Sequence, residues 1–414
     1  SSSVTGVQTC ALPISSDTMY NGEEQKNKPT VEDTKTGATL VENVDYTLSY
    51  TAAVDAGTVE VTITGIGNYS GTVKRSYKVT PKEYTVTTDS ATKTYSGTAL
   101  TAGGKVEGIV SGETVEFTTT GSQTEVGSSN NTYSLTWDGS AKEKNYTHGT
   151  DSIGLLTVTP KSIIPSDTNG IEVTKPADSK YDGKVHENKP TVKDNKTDKT
   201  LVEGTDYTLS YKGDTTNVGT VSVTITGIGN YTGKVTRTYE ITPKAYTVTT
   251  ESAKKVYDGT ALTAGGKVSG IVKGETVDFT ITGSQTSVGT SDNTYELNWT
   301  GSAKESNYKH GKDSIGTLTV TKKSIVPDGP NTPDEKKTGI EVTKPADSKY
   351  DGNVHENKPV VKDTKTGATL VEGTDYTLSY KGDTTNAGTV TVTITGAGNY
   401  TGSHNVEYQI TKRN

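Results

Sequence analysis

Hydrophobic and polar residues alternate along much of this chain. In "GTVSVTIT", Val221, Val223 and Ile225 fall on one face, and Ser222, Thr224 and Thr226 on the other. In "DYTLSY", Tyr207, Leu209 and Tyr211 share a face. Val277, Phe279 and Ile281 alternate with Asp278 and Thr280, and Tyr295, Leu297 and Trp299 with Glu296 and Asn298. A period of two, carried by β-branched and aromatic residues, predicts strands with one face in a core and one in water. No segment sustains a helical period. The nearest, "SAKESNY" from Ser302, is too short to stand alone.

The strands recur as copies. "DYTLSY" stands at Asp45, Asp206 and Asp375, and "TALTAGGKV" at Thr98 and Thr260. Superposing the copies gives two related units in the order A-B-A-B-A, with A1 at 16–82, B1 at 83–161, A2 at 170–244, B2 at 245–322 and A3 at 339–414. Linkers are read at 162–169 and 323–338. Tyr84, Trp137 and His148 of B1 match Tyr246, Trp299 and His310 of B2 at one constant offset. Every unit carries a Tyr-x-Gly triplet: Tyr20-Asn21-Gly22, Tyr95-Ser96-Gly97, Tyr181-Asp182-Gly183, Tyr257-Asp258-Gly259 and Tyr350-Asp351-Gly352. Asn-Gly and Asp-Gly favour turns that need positive φ, so the triplet reads as a strand-ending turn. Five to seven short strands in roughly 75 residues suit a small antiparallel sandwich. The fold class expected is all-β: a tandem array of immunoglobulin-like sandwich modules in an elongated rod.

The string "TITGIGNYTG" at Thr224 has sisters at Thr62 and Thr393. Lying between two alternating strands, it reads as a hairpin turn rather than a ligand loop, with Gly229-Asn230 supplying the permissive φ and Tyr231 folding back on the core. A phosphate site would need a helix after the glycines, and a strand follows. Asn230-Tyr231-Thr232 matches a glycosylation acceptor, to which little weight is given.

Only 29% of the 414 residues are hydrophobic, a level that raises disorder. The alternation opposes it, as do 23 tyrosines spread regularly along the chain. The net charge of -7 is scattered without a basic stripe, which argues against nucleic acid as a partner. No apolar run is long enough for a membrane helix. Cys10 is the single cysteine, so no internal disulfide forms. His148, His186, His310, His355 and His404 do not assemble into a ligand set by spacing, and no metal site is expected. Asp194 to Asp198 and Asp328 to Glu335 lack the calcium-loop pattern and read as solvated loops. No nucleophile elbow is present, so no catalytic residue and no cofactor are expected.

The Tyr-x-Gly triplet, the "DYTLSY…GTVTVTITGxGNYTG" block and the closing "YxITPK" resemble the MBG and YDG repeats of bacterial surface proteins, over nearly the whole chain from Thr18 onward. That resemblance implies immunoglobulin-like modules, secretion, attachment to a cell wall and a spacer or adhesive role, with no catalytic residue to carry over. Any export signal or anchor would lie outside this sequence. Such proteins sometimes carry a Lys–Asn cross-link, for which Asn405 is the lone candidate asparagine in a last strand, without a counterpart in A1 or A2. The first reading is a monomeric stalk; the rival is a module that holds carbohydrate or a host protein on exposed aromatics. Trp137 and Trp299 are the residues to inspect, although their alternation with Leu135 and Leu297 favours the core. The Thr-Pro-Lys joints after A1 and A2 are expected to be stiff, and the linker with Pro327, Pro330 and Pro333 to bend.

Val4 to Ile14, "VTGVQTCALPI", matches no repeat and resembles a translated sequencing-library adapter. Residues 1–15 are therefore expected to be non-native, with Cys10 an artefact. Cys10 to Pro13 would then stand where A2 has Ile171 to Thr174. A1 would lack its true first strand and leave a sheet edge unpaired.

Overall fold

The computed structural model describes residues 10–11 and 16–413. The chain divides into two compact units, one of Ser1–Lys175, Pro190–Ser210 and Val223–Arg237, the other of Pro176–Lys189, Tyr211–Ser222 and Thr238–Asn414.

In the first unit, repeat A1 has a four-stranded sheet in the order Thr18–Met19, Thr72–Thr80, Gly57–Gly65, Tyr46–Tyr50. The long strands pair antiparallel, Val61 opposite Arg75 and Leu48 opposite Ile63, and Thr18–Met19 joins in parallel. Val59, Val61 and Ile63 point inward and are buried, as the alternation requires. They pack against Val31 and Leu40 beside a second sheet, ordered Cys10–Ala11, Val31–Asp33, Ala38–Thr39. Two small sheets thus share one apolar layer.

This second sheet corrects the expectation for the N-terminus. Cys10–Ala11 is paired antiparallel with Val31–Asp33, so that edge is occupied. Cys10 lies opposite Glu32, as Glu172 lies opposite Lys193 in A2, so the segment takes the opening-strand position one place off the expected alignment. Strand addition uses backbone N–H and C=O, which any sequence carries, so an unrelated segment can fill the edge. The rest of the adapter-like stretch lies outside the described residues.

Repeat B1 uses more and shorter strands. Lys82–Thr88 pairs antiparallel with Gly104–Glu107 and parallel with Tyr146–His148. Leu155–Thr159 lies between Ala91–Thr94 and Gly127–Asn130, and Glu116–Thr119 pairs with Tyr133–Thr136. The same unit holds the A2 sheet Ile171–Val173, Val192–Asp194, Lys199–Thr200.

The second unit repeats these patterns. B2 pairs Lys244–Thr250 with Gly266–Ser269 and Tyr308–His310, and Asp278–Ile281 with Tyr295–Asn298. A3 orders its main sheet Ser348–Lys349, Ser403–Thr411, Gly388–Gly396, Tyr376–Lys381. Val390, Val392, Ile394, Tyr408 and Ile410 are buried beneath it. The Gly-rich string is a turn, as read: Gly398 sits at φ +56°. A Cβ at Gly396 would meet the Thr401 backbone nitrogen at 2.6 Å, so only glycine fits there. "SAKESNY" contributes one 3-10 turn, Glu305–Asn307.

Candidate functional site: the junctions between repeats

Each repeat contains an Asn-Tyr dipeptide, and in four of them it docks on the repeat before it. The tyrosine of the pair meets the Tyr-x-Gly tyrosine of the preceding repeat edge to face. Tyr20 and Tyr146 have ring centroids 5.6 Å apart, Tyr95 and Tyr231 5.7 Å, Tyr181 and Tyr308 5.6 Å, and Tyr257 and Tyr400 5.6 Å. Interplanar angles lie between 74° and 79°. Edge-to-face packing sets the positive ring edge on the negative face of its partner.

The asparagine makes the directional bond. Its side-chain Oδ1 accepts a backbone N–H from the preceding repeat: Ala56 to Asn145 at 2.8 Å, and Val126 to Asn230, Val218 to Asn307 and Val288 to Asn399 at 2.9 Å each. In all four cases the donor stands just before a glycine at high positive φ, namely Gly57, Gly127, Gly219 and Gly289, from 141° to 153°. That backbone geometry aims the preceding N–H out of its own sheet. Asn145 and Asn307 are fully buried, where an unpaired amide would be costly.

Two further devices distinguish the joint types. Where an A repeat precedes a B repeat, a glutamate bridges the tyrosines. Tyr20 and Tyr146 both donate to Glu113, the latter at 2.6 Å, and Tyr181 and Tyr308 both donate to Glu275, the latter again at 2.6 Å. Burial and the adjacent Glu113 carboxylate push the Tyr20 hydroxyl up to about 12. The Tyr146 hydroxyl is pushed up as well, by burial first and then by Glu113. These tyrosines stay protonated donors. Asp55 adds hydrogen bonds from Lys144, Asn145 and Lys142, which lower its pKa to about 2.

Where a B repeat precedes an A repeat, the chain inserts a Lys-Ser-Ile plug. Lys161–Ser162 pairs in parallel with Tyr231–Thr232, and Lys323–Ser324 with Tyr400–Thr401. Lys161 Nζ lies 2.6 and 2.7 Å from the two carboxylate oxygens of Asp194, and Lys323 makes the same pair of distances to Asp363. Tyr231 and Tyr400 donate to these carboxylates at 3.1 and 3.0 Å. Both aspartates are fully buried, which corrects the solvated loop expected at Asp194: the Lys161 ammonium and the Tyr231 hydroxyl satisfy its carboxylate away from water. Burial alone would push the Asp194 carboxyl up, but bonds from Lys161, the Lys196 backbone N–H and Tyr231 bring it below its usual value. Ile163 and Ile325, read from sequence as linker residues, are buried in the following repeat. Asp328 then closes the longer linker by accepting from the backbone N–H groups of Thr338 and Gly339.

Of the candidate residues named from sequence, Trp137 and Trp299 stack on the junction tyrosines Tyr146 and Tyr308, and the others take different roles. His148, His310, His186 and His355 each bind one aspartate, at 2.7 to 2.9 Å. Among the described residues no three His, Cys, Asp or Glu side chains form a metal cluster. Asn405 is exposed on the outer face of its strand. Trp137 and Trp299 are half-buried: Trp299 stacks on Tyr308 at 5.3 Å and meets Tyr246 edge-on at 5.2 Å. Beside it an open depression of about 620 Å³ is lined by Tyr246, Tyr295, Leu297, Trp299 and Glu305. Sequence reasoning missed the junction roles of the Asn-Tyr and Tyr-x-Gly tyrosines. The available signal was that "NY" occurs in both repeat types: Asn68-Tyr69, Asn145-Tyr146, Asn230-Tyr231, Asn307-Tyr308 and Asn399-Tyr400.

No family model matches the chain, and no curated protein matches it. Solved structures similar to it include Sidekick-1 immunoglobulin domains 1-5, 11% identical, covering 97% of this chain and 98% of that one, with a TM-score of 0.24. The I9-I11 tandem of titin is 12% identical over 56% of this chain and 98% of that one, with a TM-score of 0.19. Drosophila N-cadherin EC1-4 is 8% identical over 96% and 99%, with a TM-score of 0.16. The class rests on the strand pairing itself: the protein is an all-β array of tandem sandwich repeats.

Proposed function

We propose that the chain is a non-catalytic spacer, a stalk of MBG- or YDG-like repeats that displays another domain away from a bacterial cell surface. The observation that supports it is the same docking bond at four successive junctions, two within each unit. A spacer needs resistance to bending at every joint, and a packed aromatic pair plus a buried hydrogen bond supplies it. Extracellular immunoglobulin and cadherin arrays are the architectural analogy, and the bacterial assignment rests on the sequence motifs. Small-angle scattering tests the proposal. Five modules of about 30 Å in line give a longest dimension on the order of 150 Å. A compact chain of this length would have a radius of gyration of only about 22 Å, and that result would overturn it.

The second reading, a carbohydrate-binding or protein-binding module, is favoured by one feature, the depression beside Trp299. Its half-buried aromatics offer a stacking surface for a sugar ring. Titration with cell-wall and host oligosaccharides, followed by tryptophan fluorescence, tests it; a saturable change lost in Tyr295→Ala would support it.

A further inference from the structure

We propose that the B-type repeats bind a cationic amino sugar beside their tryptophan, with Glu305 in B2 and Glu143 in B1 receiving its ammonium group. The inference rests on the binding-module reading of the depression beside Trp299 and names its ligand. That depression is lined by the aromatic side chains of Tyr246, Tyr295 and Trp299, and its exposed residues are Asn298, Thr300 and Glu305. The aromatic walls are fixed by their own contacts. The Tyr246 ring stacks on His310 at 4.7 Å, Trp299 stacks on Tyr308, and the Tyr295 hydroxyl donates to Asp313 at 2.6 Å. Side chains already ordered lose less freedom when a ligand binds.

The charge in the depression has one sign. Glu305 is its single ionised lining residue, and Lys304, next in the chain, does not line it. Glu305 makes no ion pair among the described residues. Asp313 lies close by but is already held by His310 and Tyr295, which leaves Glu305 for a ligand. The field of these carboxylates reaches the aromatic wall: burial first, then Glu305 and Asp313, pushes the Tyr246 hydroxyl up. Aromatic rings attract a cation through their quadrupole, and a carboxylate bonds an ammonium more strongly than it bonds a neutral hydroxyl. Asn298 and Thr300 offer donors and acceptors to the hydroxyls of the same sugar.

B1 repeats the arrangement. Tyr84, Tyr133, Trp137 and Glu143 stand at the matching positions. The Tyr84 ring stacks on His148 at 4.7 Å, Trp137 stacks on Tyr146 at 5.3 Å, and Tyr133 donates to Asp151 at 2.6 Å. Two polar positions differ: Asn298 is replaced by Thr136, and Thr300 by Asp138. The second change adds a carboxylate, so the negative sign is kept and strengthened. Packing accounts for the aromatic residues at both places, but it does not call for an exposed glutamate without an ion pair beside them.

The test titrates the full chain with the trimer of glucosamine and with the trimer of N-acetylglucosamine, which share a skeleton and differ in charge. Tryptophan fluorescence reports binding, at a pH where the free amines are protonated. The proposal expects saturable binding of the glucosamine trimer, at least about fivefold tighter than its acetylated counterpart. Glu143→Gln with Glu305→Gln, two exposed changes that keep side-chain shape, should remove that preference. Trilysine, a cation without a sugar ring, should bind at least about fivefold more weakly than the glucosamine trimer. A preference that survives in the double variant, or trilysine binding as tightly, would reduce the effect to general charge attraction and overturn the proposal. Equal binding of the two trimers would overturn it while the binding-module reading stands, and binding of neither would overturn both.

Discussion

At the scale of single residues, the buried ion pairs separate two effects that are often confused. Lys323 and Asp363 are both buried, so the attraction between them must first offset the loss of water. Removing one partner strands the other. Lys323→Ala is expected to destabilise the second unit by about 3–5 kcal/mol, read from denaturant unfolding, while the double replacement Lys323→Met, Asp363→Leu recovers most of that loss. Equal losses in the single and double variants would refute this view. The exposed pair Lys337–Asp334 should contribute under about 1 kcal/mol by the same measurement. Asp194 gives the pH dependence. Its folded pKa lies below the unfolded value near ~3.9, so its contribution is complete above that value and fades as the pH falls through the folded pKa. Unfolding midpoints of the wild type should therefore drop below about pH 4, with a shallower acid limb in Asp194→Asn. Parallel acid limbs would contradict the assignment.

At the scale of elements, the strands were legible because alternation is a local signal: Val221, Val223 and Ile225 declare a face within five residues, and all three are buried. The turn at "TGIGNYTG" was legible because glycine is required by its own neighbours. Gly396→Ala should destabilise A3 by about 1–3 kcal/mol in thermal unfolding, since its new Cβ would press on the Thr401 backbone. The junction roles of Asn230 and Tyr181 were not legible. A dipeptide shows its turn chemistry but not its distant partner, and Val126 lies in another repeat. The half-buried state of Trp299 was missed for a related reason. Its alternation with Leu297 fixes which way it points, but not how completely the facing sheet covers it.

At the scale of the whole molecule, one device recurs in two repeat types that otherwise differ in strand number and length. Tyr20 and Tyr181 are 3% and 4% exposed where a B repeat docks on them. By this account the asparagine and tyrosine of each following repeat hold the junction together. Native-state hydrogen exchange resolves this claim most directly, through the backbone amides of Ala56, Val126, Val218 and Val288. The account predicts protection at all four comparable to amides in the central strands, and release of the matched amide alone when Asn145, Asn230, Asn307 or Asn399 is changed to alanine. Exchange of these amides at the rate of an exposed loop in the wild type, or no change on losing the asparagine, would contradict it.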